Sequence, residues 1–288
     1  MEQIFDVTGG QGGNAFLLTG KEKTALIDCG MAYCASRLIA NIKQVIGARS
    51  LDYILISHSH YDHIGGIPYL KAQWPAACVL GAAYAQQVLH KPNALNTIRQ
   101  LSVQAAELFG AAGLPPYEDA KLKVDTVIAD GDTIELGGSR ISVIKTTGHT
   151  QCSLAFLVND ELLFASETTG YLSKAGRMYP AFITSCAEAI DSIRRCRQLQ
   201  PAYIISPHYG LVDAAATAAY WENCLQAIGE TREFILQLAA RGYPEEQILT
   251  EYERLFRDEQ SRQEQPGSAF RLNARGMIKT VLREACTG

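Results

Sequence analysis

The sequence contains no CxxC pair, no apolar run long enough to span a membrane and no surplus of basic residues. Its eight cysteines form no regular framework, which argues against a fold held together by disulfides. A membrane-spanning helix requires roughly 18 consecutive apolar residues, and every run here is shorter. Lys and Arg total 26 against 30 Asp and Glu, so the net charge of −4 argues against nucleic acid as the main partner.

The first residues, MEQIFDVTGG, also lack the charged and apolar regions of a signal peptide. We therefore expect a soluble cytoplasmic protein with reduced thiols, whose partner is a small-molecule substrate rather than a membrane or a nucleic acid. The oligomeric state is left open. The chain has 288 residues, of which 47% are hydrophobic and 19% charged, and this composition favours one large α/β unit with or without a small appendage.

Short β-type runs occur in two blocks, each followed by helical patterns. The first block consists of QIFDV, NAFLLTG, KTALIDCG and LDYILIS, with a helix predicted from about Cys34 to Ile46. Residues 66–118 are predicted to be mainly helical, with CVLG as a short strand. The glycine-rich segment TGGQGGNAF lacks the GK[ST] ending of a phosphate loop and is interpreted as a tight turn between strands.

The second block consists of VDTVIAD, DTIELGG, RISVIKTTG, SLAFLVN and ELLFASE. A helix from about Ser185 to Leu199 precedes the buried strand AYIIS. Residues from Ala214 onward are predicted to be helical, with breaks at Gly242-Tyr243-Pro244 and Gln265-Pro266-Gly267. This order predicts two packed sheets with helices outside, in a domain of residues 1–212 followed by a helical extension of residues 213–288.

Half of the six histidines lie within one short segment that directly follows the apolar run LDYILIS. The candidate metal ligands in this segment are His58, His60, Asp62 and His63. Alternate side chains of an extended segment point the same way, so residues 58, 60 and 62 are predicted to share a face. His63 is expected to join them where the chain turns at Gly65-Gly66. A lone histidine is usually structural, but this set would be costly to bury without a cation and therefore predicts a metal site.

Three more candidate ligands follow other predicted strands. His149 lies in KTTGHT, Glu167 in LLFASETTG and His208 in ISPHYG. Functional residues of α/β proteins commonly lie at such strand ends. His90, in contrast, lies in a helical pattern and is interpreted as a helix-surface residue, and Cys152 is interpreted as a small buried residue rather than a ligand.

The motif HSHYDH, with the later GHT and PHYG, resembles the HxHxDH signature and downstream histidines of the metallo-β-lactamase fold superfamily. The resemblance covers roughly residues 3–210 and implies an α/β fold, the four-layer αββα sandwich, here with a C-terminal helical extension. It implies a first metal ion bound by His58, His60 and His149, and a second bound by Asp62, His63 and His208. Glu167 stands where the family usually has a bridging aspartate, and it either bridges both ions or binds one.

The same resemblance implies a hydrolase that uses a hydroxide held between two divalent ions, zinc being favoured over iron or manganese. Asp62 is expected to orient this nucleophile and accept its proton. A thioester is favoured because a thiolate leaves without protonation, whereas a lactone or phosphodiester benefits from a proton donor. The candidate donors are Tyr171, Tyr179 and Tyr209. Tyr209 is preferred because it directly follows His208, although packing at a domain edge explains each tyrosine equally well.

The helical extension is a candidate lid, because members of the glyoxalase II and acyl-thioesterase branch place C-terminal helices over the metal site. Arg271 and Arg275 are candidates to receive an anionic substrate, but a solvated helix face is the better interpretation. Residues 173–182 are expected to form a loop beside the site, with Tyr179 and Phe182 lining the pocket.

Several other functions remain open. A lactonase, a phosphodiesterase or a metal-containing binding protein with little turnover fits the same motifs, the last being supported only by Glu167. A di-iron redox protein is disfavoured, because flavodiiron proteins have a glutamate where His60 stands and carry a flavodoxin domain. The acidic charge argues against RNA processing, and the missing export signal argues against a β-lactamase proper.

Overall fold

The computed structural model describes residues 3–286 and divides the chain into two compact units. The first unit contains the residues up to Ile144 together with Phe156–Asn159. The second contains Lys145–Ala155 and the chain from Asp160 onward. The chain passes from one unit to the other within the strand Leu154–Val158, all five residues of which are buried.

A six-stranded mixed sheet forms the framework of the first unit. Its strands follow one another in chain order: Gln3–Asp6, Phe16–Thr19, Thr24–Ile27, Tyr53–Leu55, Cys78–Gly81 and Thr126–Val127. The first three strands pair antiparallel, and the last four run parallel to one another. The parallel strands therefore end at the same edge of the sheet. The strands Thr133–Glu135 and Arg140–Lys145 pair antiparallel at one end of a second six-stranded sheet.

Five helices of the first unit connect or follow these strands. They are Ala35–Ile46, Tyr61–Ile64, Ile67–Gln73, Ala83–Leu89 and Pro92–Leu108. The helix Ala35–Ile46 buries side chains at positions 35, 38, 42 and 46, which is the 3.6-residue period of one helix face. It ends at Gly47, whose positive φ of 59° is a backbone conformation that glycine adopts without strain.

Two short strands of the second unit end shortly before the candidate ligands Glu167 and His208. The strand Leu162–Phe164 pairs parallel with Tyr203–Ser206, which pairs antiparallel with Gly210–Leu211. A small hairpin pairs Tyr171–Leu172 with Met178–Tyr179. Residues 173–182, predicted to be an irregular loop, thus contain one strand of two residues.

The helices of the second unit are Cys186–Gln198, Ala214–Ala240, Glu245–Phe256, Glu259–Glu264 and Gly267–Ala285. Ser185 caps the first of them, because its hydroxyl accepts a hydrogen bond from the backbone N–H of Glu188. The long helix Ala214–Ala240 packs against this capped helix and against the strands Met178–Tyr179 and Tyr203–Ser206. The C-terminal helices are therefore part of the second unit, and the longest of them packs against two of its strands.

The predicted elements agree well with the observed ones. All the predicted strands occur, although VDTVIAD is reduced to Thr126–Val127. The helical prediction for 66–118 is wrong beyond Leu108, after which the chain is irregular up to the short turn at Asp119–Lys121. The helical extension has an additional break at Arg257-Asp258. Its predicted boundary at residue 213 stays a prediction. Within residues 3–286, every helix is too short or too polar to cross a membrane.

Candidate metal centre

The first group of candidate ligands lies where two neighbouring parallel strands end. Ile27 and Leu55 are paired in the sheet, so Asp28 and Ile56 are the next residues along each strand. The backbone N–H of Ser57 donates to Oδ1 of Asp28 at 2.7 Å, and its hydroxyl donates to Oδ2 at 2.8 Å. Asp28 thus fastens the end of its own strand to the segment that begins the histidine cluster.

A short helix follows and changes the predicted geometry of the cluster. Residues 58, 60 and 62 were expected to alternate in one extended segment, but Tyr61–Ile64 is helical. Alternation therefore applies only to His58 and His60, whose ring centroids lie 4.5 Å apart. Asp62 and His63 lie on the helical turn instead, and the ring of His63 lies 4.2 Å from that of His58. The turn brings all four side chains together by a different route from the one predicted.

The orientation of His63 is set by Asp28, a residue that the sequence interpretation missed. Nδ1 of His63 lies 2.7 Å from Oδ2 of Asp28. A carboxylate only accepts hydrogen bonds, so Nδ1 carries a proton, and in a neutral ring Nε2 is then the nitrogen with the lone pair. Nε2 lies 3.8 Å from Oδ2 of Asp62. His63 therefore presents its ligating nitrogen on the side where Asp62 lies.

The glycine-rich segment TGGQGGNAF packs against this cluster. A Cβ atom at Gly13 would lie 1.6 Å from the carbonyl oxygen of Asp62, so only glycine allows the two backbones to approach so closely. The segment connects the strands Gln3–Asp6 and Phe16–Thr19. It is longer than the predicted tight turn, and it supports the backbone of a candidate ligand.

In the second unit, Glu167 and His208 occupy equivalent positions after two parallel strands. Phe164 is paired with Ile205, and each candidate ligand lies three residues further along its strand. This shared offset brings Oε1 of Glu167 into direct contact with Nε2 of His208. His208 has a positive φ of 61°, an uncommon backbone conformation for a residue with a side chain.

His149 contacts the other oxygen of the same carboxylate. Its Nδ1 lies 2.5 Å from the carbonyl oxygen of Ala181, and because a carbonyl oxygen only accepts, Nδ1 is the donor. Nε2 of the same ring lies 2.7 Å from Oε2 of Glu167. His149 is fully buried and Glu167 is 6% exposed. A nitrogen and a carboxylate oxygen lie this close when a proton or a cation lies between them, so the contact is compatible with a bound cation.

The backbone before His149 is held against the helix Cys186–Gln198. Gly148 has a φ of 131°, and a Cβ atom there would lie 2.6 Å from the backbone of Ala189. Its carbonyl oxygen accepts hydrogen bonds from the backbone N–H groups of Thr184 and Ser185. The glycine in KTTGHT therefore allows the His149 segment to pack closely on the start of this helix.

The three candidate proton donors differ in their contacts. The ring of Tyr171 meets that of His208 edge-on, with centroids 5.6 Å apart. Tyr179 stacks on Tyr171, and its hydroxyl donates to a carboxylate oxygen of Asp258 in the helical extension. Tyr209 follows His208 and is half-buried. Tyr171 is thus the tyrosine with an observed ring contact to a candidate ligand.

The charges of the two candidate arginines are compensated within the extension. Arg271 pairs with Glu253, and Arg275 pairs with Glu246 and lies 3.4 Å from Glu245.

Two further residues, His90 and Cys152, were not predicted to be metal ligands. His90 is exposed after the helix Ala83–Leu89, and Cys152 is buried with its sulfur 3.3 Å from the hydroxyl of Thr150.

A model of the metallo-beta-lactamase superfamily matches residues 8–208. The metallo-beta-lactamase fold-containing protein ST1585 of Sulfurisphaera tokodaii is 26% identical over 206 residues, covering 68% of this chain and 72% of that protein. The hydroxyacylglutathione hydrolase of Photobacterium profundum is 30% identical over 194 residues, covering 67% of this chain and 62% of that enzyme. The match thus spans less than two thirds of the length of that hydrolase.

Among solved structures, the metallo-beta-lactamase family protein TTHA1429 from Thermus thermophilus has a TM-score of 0.64 at 19% identity. The likeness covers 95% of this chain and 89% of that one. Together with the family match, it confirms the predicted fold class: an α/β fold of the αββα type with C-terminal helices.

Proposed function

The chain belongs to the metallo-beta-lactamase superfamily, and we propose that it is a metal-dependent hydrolase of small ester-like substrates, with thioesters favoured. Members of this superfamily are typically metal-dependent hydrolases. Several relatives of the chain are named hydroxyacylglutathione hydrolases. The observation that carries the proposal is the position of Glu167, whose two carboxylate oxygens contact two different histidines, His149 and His208.

We assign the candidate ligands to two divalent ions. As the family resemblance implies, one ion would be held by His58, His60 and His149 and the other by Asp62, His63 and His208, with Glu167 available to both. Glu167 is assigned to both sets because its Oε2 contacts His149 of one set and its Oε1 contacts His208 of the other. The side chain of Glu167 would then take the bridging role that the family usually gives to aspartate.

The chemistry of the donor set fits these ions. Five imidazoles and two carboxylates, without a thiolate, suit zinc, with iron and manganese as alternatives. Nδ1 of His58, His63 and His149 each has a protein partner, namely Ser57, Asp28 and Ala181. Such partners fix the orientation of a ligating ring and leave Nε2 for the ion. Bound divalent ions would supply Lewis acidity and lower the pKa of a water molecule to roughly 7.

Side chains of the protein would carry out the proton transfers of the reaction. Asp62 is buried beside His63 and is assigned to orient the nucleophile and accept its proton. Tyr209 and Tyr171 are the candidate donors for a leaving group that needs a proton. A thioester needs none, because its thiolate leaves as an anion. The hydroxyl of the third candidate, Tyr179, donates to Asp258 and is therefore not assigned as a donor.

The metal content of the wild type, Glu167→Gln and His90→Ala tests the ligand assignment. We expect two ions per chain in the wild type and in the control His90→Ala, because His90 is exposed and away from the candidate ligands in the sequence. Glu167→Gln has the same shape without the charge and should retain one ion or fewer. One ion in the wild type, or two in Glu167→Gln, would contradict a bridging role.

A substrate panel tests the reaction class. Protein loaded with zinc should cleave a hydroxyacylglutathione thioester with a higher kcat/KM than a lactone or a phosphodiester. Tyr171→Phe and Tyr209→Phe should change thioester kcat by less than about threefold and reduce turnover of the oxygen esters more strongly. Full metal occupancy without turnover on any substrate would favour a binding or regulatory role instead.

A further inference from the structure

A chain of buried hydroxyl groups connects the segments that carry Glu167 and His208 to the helix Ala214–Ala240. Tyr220 is buried in this helix, and its hydroxyl donates to Oγ of Ser206 at 3.2 Å. The hydroxyl oxygen of Tyr220 also lies 3.3 Å from Oγ1 of Thr169. Ser206 lies two residues before His208, and Thr169 lies two residues after Glu167. A single hydroxyl of the extension thus contacts both ligand-bearing segments.

The partners of Tyr220 are themselves tied to the local backbone. Oγ of Ser206 also accepts the backbone N–H of Leu172 at 3.2 Å, and the hydroxyl of Thr169 lies 3.0 Å from the carbonyl oxygen of Ser166. Burial raises the pKa of Tyr220, so its hydroxyl keeps its proton at any working pH and can donate. A movement of either ligand segment would therefore break hydrogen bonds that water cannot replace in a buried site.

Further hydroxyls support the opposite side of Glu167. Oγ of Ser166 lies 2.7 Å from Oγ1 of Thr146. The hydroxyl of Thr168 donates to the carbonyl oxygen of Thr146 at 2.5 Å and accepts the backbone N–H of His149 at 3.2 Å. The residues on both sides of Glu167 are thus fixed through hydroxyls, towards the His149 segment on one side and towards Tyr220 on the other.

We propose that Tyr220 is a positioning residue that holds Glu167 and His208 in the arrangement required to bind the second metal ion. The inference rests on the proposed function, because it concerns the ligands assigned there. Tyr220 lies outside the segment 8–208 that matches the family model, so this support comes from the C-terminal extension. The extension then acts on the site from within the second unit, through a buried hydrogen bond.

The variant Tyr220→Phe removes the hydroxyl and keeps the ring, which packs edge-on against Trp221. Tyr252→Phe is the matched control, because Tyr252 is a buried tyrosine of the same extension and its ring packs among Phe234, Phe256 and Phe270. Zinc titration should show that the weaker-bound ion dissociates about 10–100 times more readily in Tyr220→Phe than in the wild type. Tyr252→Phe should bind both ions as the wild type does.

The thermal stability of the metal-free proteins separates positioning from general loosening. If Tyr220 positions the ligands, metal-free Tyr220→Phe and Tyr252→Phe should have similar Tm values and differ only in metal affinity. It would be overturned by wild-type zinc affinity in Tyr220→Phe, or by equal losses of affinity in both variants. Thr169→Ser and Thr169→Val give a second comparison, in which the hydroxyl-retaining serine should keep the affinity and valine should lose it.

A measurement without metal distinguishes this inference from the proposed function. In metal-free protein labelled at histidine, the ring signals of His208, assigned with His208→Gln, should shift in Tyr220→Phe while those of His90 stay in place. Unchanged His208 signals would overturn the positioning role. A wild type that binds fewer than two ions would instead contradict the proposed function and leave this spectroscopic comparison to decide the role of Tyr220.

Discussion

Nδ1 of His63 lies 2.7 Å from a carboxylate oxygen of Asp28, although the two residues are 35 positions apart in the sequence. Parallel pairing of Thr24–Ile27 with Tyr53–Leu55 causes this contact, because both strands end at the same edge of the sheet. Asp28 also binds the backbone N–H and the hydroxyl of Ser57. Its positive φ of 53° shows that the chain turns sharply there to present the carboxylate.

Asp28→Asn should weaken metal binding at His63. An amide that offers its N–H₂ group to Nδ1 stabilises the tautomer in which Nε2 carries the proton and has no lone pair for an ion. We expect the affinity for one of the two proposed ions to fall about 10–100-fold in a zinc titration. Asp52→Asn is the control, since Asp52 binds the backbone N–H of Thr24 at the opposite end of the same strand. Unchanged affinity in a folded Asp28→Asn protein would contradict this role.

Much of the architecture is predictable from the sequence, because strand runs and helix periods are local patterns. The histidine cluster and the strand-end positions of His149, Glu167 and His208 can also be read from such local patterns. Asp28 ends the predicted strand KTALIDCG, but its role depends on which strands pair. The contact of Glu167 with His208 likewise depends on the register of two parallel strands. The helical turn at Tyr61–Ile64 is too short to leave a periodic signal.

Gly13→Ala should destabilise the protein and impair metal binding. The new Cβ would lie 1.6 Å from the carbonyl oxygen of Asp62, so one of the two backbones must move. Gly229→Ala is the matched control, because Gly229 lies within the helix Ala214–Ala240 with open space around it. There alanine should raise the free energy of unfolding by about 0.5–1 kcal/mol. Urea unfolding and metal analysis of both variants provide the check, and a Gly13→Ala protein with wild-type stability and metal content would contradict the close approach.

Removing Arg271 or Arg275 should leave substrate affinity unchanged. Both guanidinium groups are paired with glutamates of the helix Glu245–Phe256, so their charges already have partners. For an anionic thioester we expect KM values of Arg271→Met and Arg275→Met within about twofold of the wild type. Steady-state kinetics at low ionic strength gives the most sensitive comparison, because exposed charges are screened by salt. A tenfold rise in KM at unchanged kcat would show instead that these arginines bind the substrate.

Asp125 should contribute to stability in a pH-dependent way. Burial tends to raise its pKa, but the hydrogen bonds from Nζ of Lys71 at 2.8 Å and from the backbone N–H of Val79 at 3.1 Å outweigh burial, so the pKa is lowered. A lowered pKa means that the stabilisation is fully present above the unfolded value of about 3.9 and is lost as the pH falls through the folded value below it. Asp125→Asn should therefore have a lower free energy of unfolding than the wild type at pH 7, and the difference should shrink below about pH 4. Urea unfolding across this pH range measures the difference directly, and a gap that stays constant as the pH falls would show that the ionised carboxylate is not the stabilising form.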